Sequence, residues 1–170
     1  EFALEIDPRR VRQDKMKYYH SKGVNRISFG VQDLDPKVQQ AVNRIEPIKL
    51  LEDLLTPEIR NLFKNGICFD LLAGLPHQTP ESMRRTAEAV VRLAPDRISF
   101  PYVHYVPHIA KHQALMPEAA IAFGLDRRVL YRVAQEVLLN AGYVHLGFDH
   151  FAKAKDDNAK AMWKRQMDWT

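Results

Sequence analysis

Five apolar runs in this chain each end in side chains able to bind or react. Glu5 and Asp7 follow "FAL", Gln32 and Asp33 follow "ISFGV", and Asp70 lies within "ICFDLLAGLP". Tyr102 and His104 close "DRISFPYVHY", and Asp149 and His150 close "YVHLGFDHF". Carboxylates accept from ammonium groups and hydroxyls, a primary amide both donates and accepts, and a guanidinium forks onto a carboxylate. Arg44, in "VQQAVNRIEP" beyond Gln32, supplies that guanidinium if its helix turns it back towards the strand ends; a surface arginine is the bland alternative. Glu5 and Asp70 sit among apolar neighbours, where an unpartnered carboxylate costs several kcal/mol, so each needs a structural partner or a ligand. Asp7 and Asp35 precede proline and read as helix caps. Asp33 can fold onto its own turn, and Gln32 can tie two loops together.

Other chemistries find less support. His104, His108 and His112 have the one-face spacing of helical zinc ligands, but Pro107 interrupts that helix and no HExxH signature is present, so no metal site is expected. No GxSxG elbow and no GxGxxG loop occur. Cys68, the single cysteine, lies mid-strand and reads as a buried, protonated structural thiol; one cysteine excludes an internal disulfide and suits a reducing compartment such as the cytoplasm.

The elements that must position these residues are marked by proline and glycine. Asp7-Pro8, Asp35-Pro36, Thr56-Pro57 and Thr79-Pro80 each pair an N-cap with a proline suited to the first helical turn. Gly23, Gly66 and Gly142 suit helix ends, and a short apolar run follows each. Met83, Ala87, Val90 and Val91 recur at helical spacing, as do Ile121, Leu125, Val129, Val133 and Leu138 between Pro117 and Asn140. Strand and helix thus alternate about five times, which predicts an α/β fold with a parallel sheet covered by helices, either an open doubly wound sheet or an arc of a (β/α) barrel. In either, the strand ends share one rim. An opened arc is expected to expose two strand edges and an apolar inner face.

At 170 residues and 46% hydrophobic composition the chain can build one ordinary core, and no linker or repeat divides it. The net charge of +4 is dispersed, and its densest basic run, "KAKDDNAKAMWKR", is interrupted by acids and reads as a solvated helix face; no nucleic-acid partner is expected. No apolar run reaches the ~20 residues that cross a bilayer, so no membrane partner is expected. The chain opens without methionine, already in a strand-like alternation, and reads as a piece of something longer.

The ordered runs "EIDPR", "GVNRISFGVQDLDPKVQQAVNR", "DLLAGLPHQTPES", "APDRISFPYVHYVP" and "GFDHFAKAKDD" resemble oxygen-independent coproporphyrinogen III oxidase, a radical S-adenosylmethionine (SAM) family, across nearly the whole chain. A sister group of haem-chaperone-like proteins typically reads "GVQS" and has a tyrosine-bearing segment in place of "GFDHFA"; a haem-binding relative is the alternative. The resemblance implies that residues 1–170 are one fragment of a (β/α)6 barrel, a parallel-sheet partial barrel whose third to sixth strands start at Phe2, Arg26, Ile67 and Arg97. It implies that Glu5, Gln32, Arg44 and Asp70 bind SAM, with Val103 lining the same site where the family usually has Ala.

The family's CxxxCxxC run, which holds a [4Fe–4S] cluster, is absent, as are its "GGGTP" segment and C-terminal domain. The resemblance places the first two upstream, so the intact parent would carry the cluster on residues not in this chain. Pro101, Ala154 and an extra residue between His104 and Pro107 also depart from the family pattern. The implied partners are a porphyrinogen substrate, an electron donor for the cluster and the missing N-terminal barrel half. Alone, the fragment is expected to be inactive.

Overall fold

The computed structural model describes residues 1–167 and holds six strands and seven α-helices among them. β1 (Ala3–Ile6), β2 (Arg26–Gln32), β3 (Ile67–Leu71) and β4 (Arg97–Ser99) pair in parallel in chain order. Helices α1 (Gln13–Ser21), α2 (Pro36–Ala41), α3 (Ile48–Leu54), α4 (Pro57–Leu62) and α5 (Pro80–Leu93) fill the crossovers between them, and α6 (Gly124–Asn140) follows β4. The result is an α/β fold whose mostly parallel sheet forms an arc of the (β/α) kind.

The expected caps start the helices. Asp35 accepts from Lys37 N at 2.9 Å, Thr56 from Ile59 N at 3.4 Å, and Thr79 from Ser82 N at 3.1 Å while Ser82 Oγ accepts from Thr79 N. Asp7 caps a short 3-10 turn, Pro8–Arg10, through Arg9 N at 3.0 Å. Each satisfies an amide that a helix start otherwise leaves without a partner. Gly23, Gly66 and Gly142 adopt positive φ where helices or turns end.

Alternation along the strands divides the sheet into unlike faces. Ile27, Phe29 and Val31 of β2, Ile67, Phe69 and Leu71 of β3, and Ile98 of β4 are buried in the core with Met16 of α1, Leu51 of α3, Ile59 of α4 and Met83, Ala87 and Val90 of α5. Phe29 and Phe69 meet edge to face at 6.3 Å. Each such aromatic or aliphatic side chain contributes about 2–3 kcal/mol by leaving water. The opposite face carries Arg26, Ser28, Cys68, Asp70, Arg97 and Ser99, all half-buried. The expected apolar inner face is therefore corrected: the core helices α1 and α3–α6 pack on one side, and the sheet's other face is polar because every second residue of these strands is.

Two further expectations change. "YVHLGFDHF" is not one strand but an antiparallel hairpin of β5 (Tyr143–Gly147) and β6 (His150–Lys153), and β6 pairs antiparallel to β4. Gly147 at φ 111° and Phe148 at φ 49° turn the chain there. The stripe on α6 is rotated: Leu130, Ala134 and Leu138 are buried, whereas Leu125 and Val129 are exposed, because the helix begins at Gly124 after a separate 3-10 turn, Glu118–Ala120. A last helix, α7 (Asp157–Met167), crosses the polar face, with Lys160 and Lys164 exposed; the side chains of Trp163 and Arg165 in the basic run lie outside the described residues. No helix among the described residues is long and apolar enough to cross a membrane.

Candidate functional site

The polar face of the sheet, the hairpin and α7 enclose a cavity of about 1030 Å³. Its wall includes Glu5, Ser28, Asp70, Arg97, Ser99 and His150, with apolar cover from Phe148, Phe151 and Met162. Strand register explains the grouping. Glu5 pairs with Ser28, Gly30 with Asp70, Asp70 with Ser99, and Ser99 with His150, so these residues share one face of neighbouring strands.

Gly30 is the close-packed point beside this wall. A β-carbon added there would lie 3.0 Å from Gln32 Nε2, 3.3 Å from Arg44 Nη2 and 3.9 Å from Glu5 Oε1. Three of the five residues that the resemblance implies for one site thus converge on one glycine. Gln32 reaches it through a bulge: the pairing of β2 with β3 shifts between Gly30 and Gln32, and Gln32 takes φ 64°, a left-handed conformation that costs a non-glycine residue free energy. Arg44 lies beyond α2 rather than on it, which corrects the helical expectation; Asn43 at φ 50° turns the chain, and Arg44 Nη2 donates to the Gly30 carbonyl.

Asp70 accepts a hydrogen bond from Ser28 Oγ, while burial, reinforced by the charge of Glu5, raises its pKa. Two carboxylates within electrostatic reach of each other favour a cation between them. Val103 is buried, its side chain in a small apolar cluster with Val38, Leu75 and Ile121.

The remaining strand-end residues divide. His150 lines the cavity, with Nε2 3.5 Å from Asp149 Oδ1. Tyr102 turns to the helix side, against Tyr131 and under the Arg127 guanidinium at 4.3 Å. Asp33 is buried, accepting from Asp35 N at 2.7 Å, Gln78 Nε2 at 2.6 Å and Thr86 Oγ1 at 2.8 Å; the local turn expected of it is present, and burial raises its pKa. His104, His108 and His112 lie in loop and 3-10 backbone rather than on one helix, and among the described residues no three His, Cys, Asp or Glu side chains form a metal-sized group. Cys68 is half-buried on the polar face, not in the apolar core, yet desolvation pushes its thiol up to about 11.

Sequence reasoning missed Glu46. It is 1% exposed, and burial pushes its carboxyl up to about 7 against the attraction of Arg44. Its one sequence signal is an acid between Ile45 and Pro47, the same apolar flanking that drew attention to Glu5, but outside any strand.

No protein-family profile matches the chain. It is 41% identical over 168 residues to the oxygen-independent coproporphyrinogen III oxidase of Bradyrhizobium diazoefficiens, a match that covers 98% of this chain and 37% of the relative. The chain is homologous to a segment of the oxygen-independent coproporphyrinogen III oxidases. The Synechocystis sp. oxidase is 37% identical over 167 residues, covering 98% of the chain and 36% of that oxidase. The coproporphyrinogen III oxidase of Escherichia coli, a radical SAM enzyme, superposes with a TM-score of 0.90 at 33% identity, over 96% of this chain and 38% of that one. A radical SAM methyltransferase from Kitasatospora setae shares the fold alone, at TM-score 0.54 and 14% identity over 61% of this chain. The chain spans little more than a third of the length of the curated oxidases it matches.

Proposed function

We propose that this chain is one fragment, residues 1–170, of the (β/α)6 barrel domain of an oxygen-independent coproporphyrinogen III oxidase, working in the cytoplasm. The observation that carries the reading is the meeting of Glu5, Gln32 and Arg44 over Gly30, in a chain whose oxidase relatives cover 95–98% of it. The donor set suits SAM: Glu5 and Asp70 for its cationic and hydroxyl groups, the Gln32 amide for either role, and the Arg44 guanidinium for its carboxylate. Gly30 leaves space where any side chain would intrude, and Val103 borders the same site in this reading.

The residues here do not fit the family's other cofactor. A [4Fe–4S] cluster takes three cysteine thiolates in a CxxxCxxC run, whereas this chain has one cysteine, its thiol held protonated. The cluster therefore belongs to other parts of the enzyme in this reading, and the electron donor is a partner that reduces it there.

SAM held by these residues would supply the hydrogen-abstracting chemistry that starts oxidative decarboxylation at a propionate side chain of coproporphyrinogen III. Loss of one electron to an acceptor and of carbon dioxide then leaves a vinyl group; done twice, this gives protoporphyrinogen IX. What these residues contribute is binding, orientation and exclusion of water, since a reactive species must meet one carbon and little else. The test is anaerobic turnover by the full-length protein that carries this chain, with reductant, SAM and coproporphyrinogen III. Protoporphyrinogen IX, carbon dioxide and deoxyadenosine are expected. Stoichiometric haem binding without turnover would overturn the oxidase reading in favour of a haem carrier.

A further inference from the structure

Glu46 has no role in the reading above, yet it is among the costliest side chains in the fold. Both its carboxylate oxygens are buried without a hydrogen-bond donor. Nε of Arg44, 3.9 Å from Glu46 Oε2, is likewise buried and unpartnered. Two buried groups of opposite charge, each short of a partner, stabilise one another or are not retained, because either alone in the interior costs several kcal/mol. The backbone around them is fixed. The buried Gln39 side chain accepts from Glu46 N at 3.0 Å and donates to Glu46 O at 2.8 Å and to Asp33 O at 2.9 Å. One amide therefore ties the Glu46 segment to the end of β2, and the carboxylate cannot drift from the guanidinium it faces.

The far side of that guanidinium does the reaching. Its Nη2 donates to the Gly30 carbonyl and lies 3.6 Å from Asp7 Oδ1. Asp7 is also held by Arg9 through bonds of 3.0 and 2.8 Å, and the Arg9 hydrogen bond keeps its carboxyl at about 2, so Asp7 stays charged at any working pH. Arg44 is thus gripped at its tip by groups that do not titrate near neutrality, and at its base by one that does.

We propose that Glu46 is a positioning residue: from beneath, its buried carboxylate sets the place of the Arg44 guanidinium beside Gly30, and it acts on the ligand only through Arg44. The ligand part rests on the reading of Arg44 as a SAM contact; the holding of Arg44 does not. The groups facing Glu46 are the guanidiniums of Arg44 and Arg9 and the Asp7 carboxylate, held at about 2, so its own ionisation near 7 is what changes the grip.

Two measurements on the full-length protein separate the parts. The first needs no ligand: the rate at which phenylglyoxal modifies Arg44, followed by peptide mass spectrometry with Arg60 as internal reference. Glu46→Gln, which keeps the shape and removes the charge, is expected to speed modification of Arg44 several-fold at pH 8 and to leave Arg60 unchanged; an unchanged Arg44 rate overturns the proposal. The second is SAM affinity by equilibrium dialysis from pH 6 to 8.5. Wild type is expected to bind more tightly as pH rises through about 7, while Glu46→Gln stays at the low-pH affinity, about tenfold weaker at pH 8, as loss of a charge-assisted contact implies. Adding Glu46→Gln to Arg44→Ala should cost nothing more, and a further loss overturns action through Arg44. If Arg44→Ala itself leaves affinity intact, the reading of Arg44 as a SAM contact fails, and the modification rate alone decides whether Glu46 holds it.

Discussion

Gln78 donates from Nε2 to Asp33 Oδ2 at 2.6 Å, joining the end of β2 to the loop after β3 across 45 residues of sequence. The same Gln78 accepts from the amides of Gly74 and Leu75 at 2.6 and 2.9 Å. Asp33 thus makes its own local turn and also locks two strand-end loops from inside, while its neighbour Gln32 lies beside Gly30.

That arrangement makes Asp33 a residue of stability rather than of binding. Asp33→Ala strands the Gln78 amide, the Thr86 hydroxyl and the Asp35 amide in the interior, a loss expected to reach about 3 kcal/mol. Denaturant unfolding of the protein measures it. A cost below about 1 kcal/mol would mean that the loops hold without this buried hub.

Gly30→Ala tests the crowding around β2. Its backbone is not in the left-handed region, so the chain itself tolerates the change, but the new methyl meets Gln32 at 3.0 Å and Arg44 at 3.3 Å. SAM affinity is expected to fall about tenfold or more while the melting temperature drops by only a few degrees, roughly 1 kcal/mol of strain. Equilibrium dialysis and thermal melts on the same samples separate the two effects.

Glu46 gives a pH signature in stability. Its carboxyl rises from 4.5 to about 7 on folding, so between those values the folded protein holds a proton that the unfolded chain has released. Stability due to this group therefore declines as pH rises from about 4.5 to 7 and is level above. Glu46→Gln removes that decline, so the variant's stability is expected to stay level between pH 5 and 8 while that of wild type falls. Melts at both pH values decide it.

Cys68 is expected to resist alkylation. With its thiol pushed up to about 11, roughly one molecule in a thousand carries thiolate at pH 8. Iodoacetamide labelling should be at least about a hundredfold slower in the native protein than in denaturant, where the ordinary value near 8.5 returns. Equal rates would show that the polar face is far wetter than its burial implies.

Much of this fold could be read from local chemistry. Asp35-Pro36, Thr56-Pro57 and Thr79-Pro80 mark helix starts because a cap and a fixed φ act within one turn, with no help from the rest of the chain. β2 and β3 were visible because their apolar residues are dense. What escaped depends on distance in sequence. The two-stranded nature of "YVHLGFDHF" rests on Phe148 taking positive φ, which no residue type announces, and on β4 accepting an antiparallel neighbour. Among the site residues, Glu5 and Asp70 stood out as acids in apolar strands, but Glu46 did not, since its burial comes from packing under Arg44 rather than from its own run. Val103 came from resemblance alone, and its side chain packs with Leu75 and Ile121.

The hairpin has a consequence for how such a wall can be enlarged. Beyond β4 the hairpin reverses the chain twice, so β5, antiparallel to β6, again runs the way of β1–β4. The two outer strands of the sheet, β1 and β5, therefore present the same strand direction, and a further strand–helix unit of the same hand meets a parallel template at either margin.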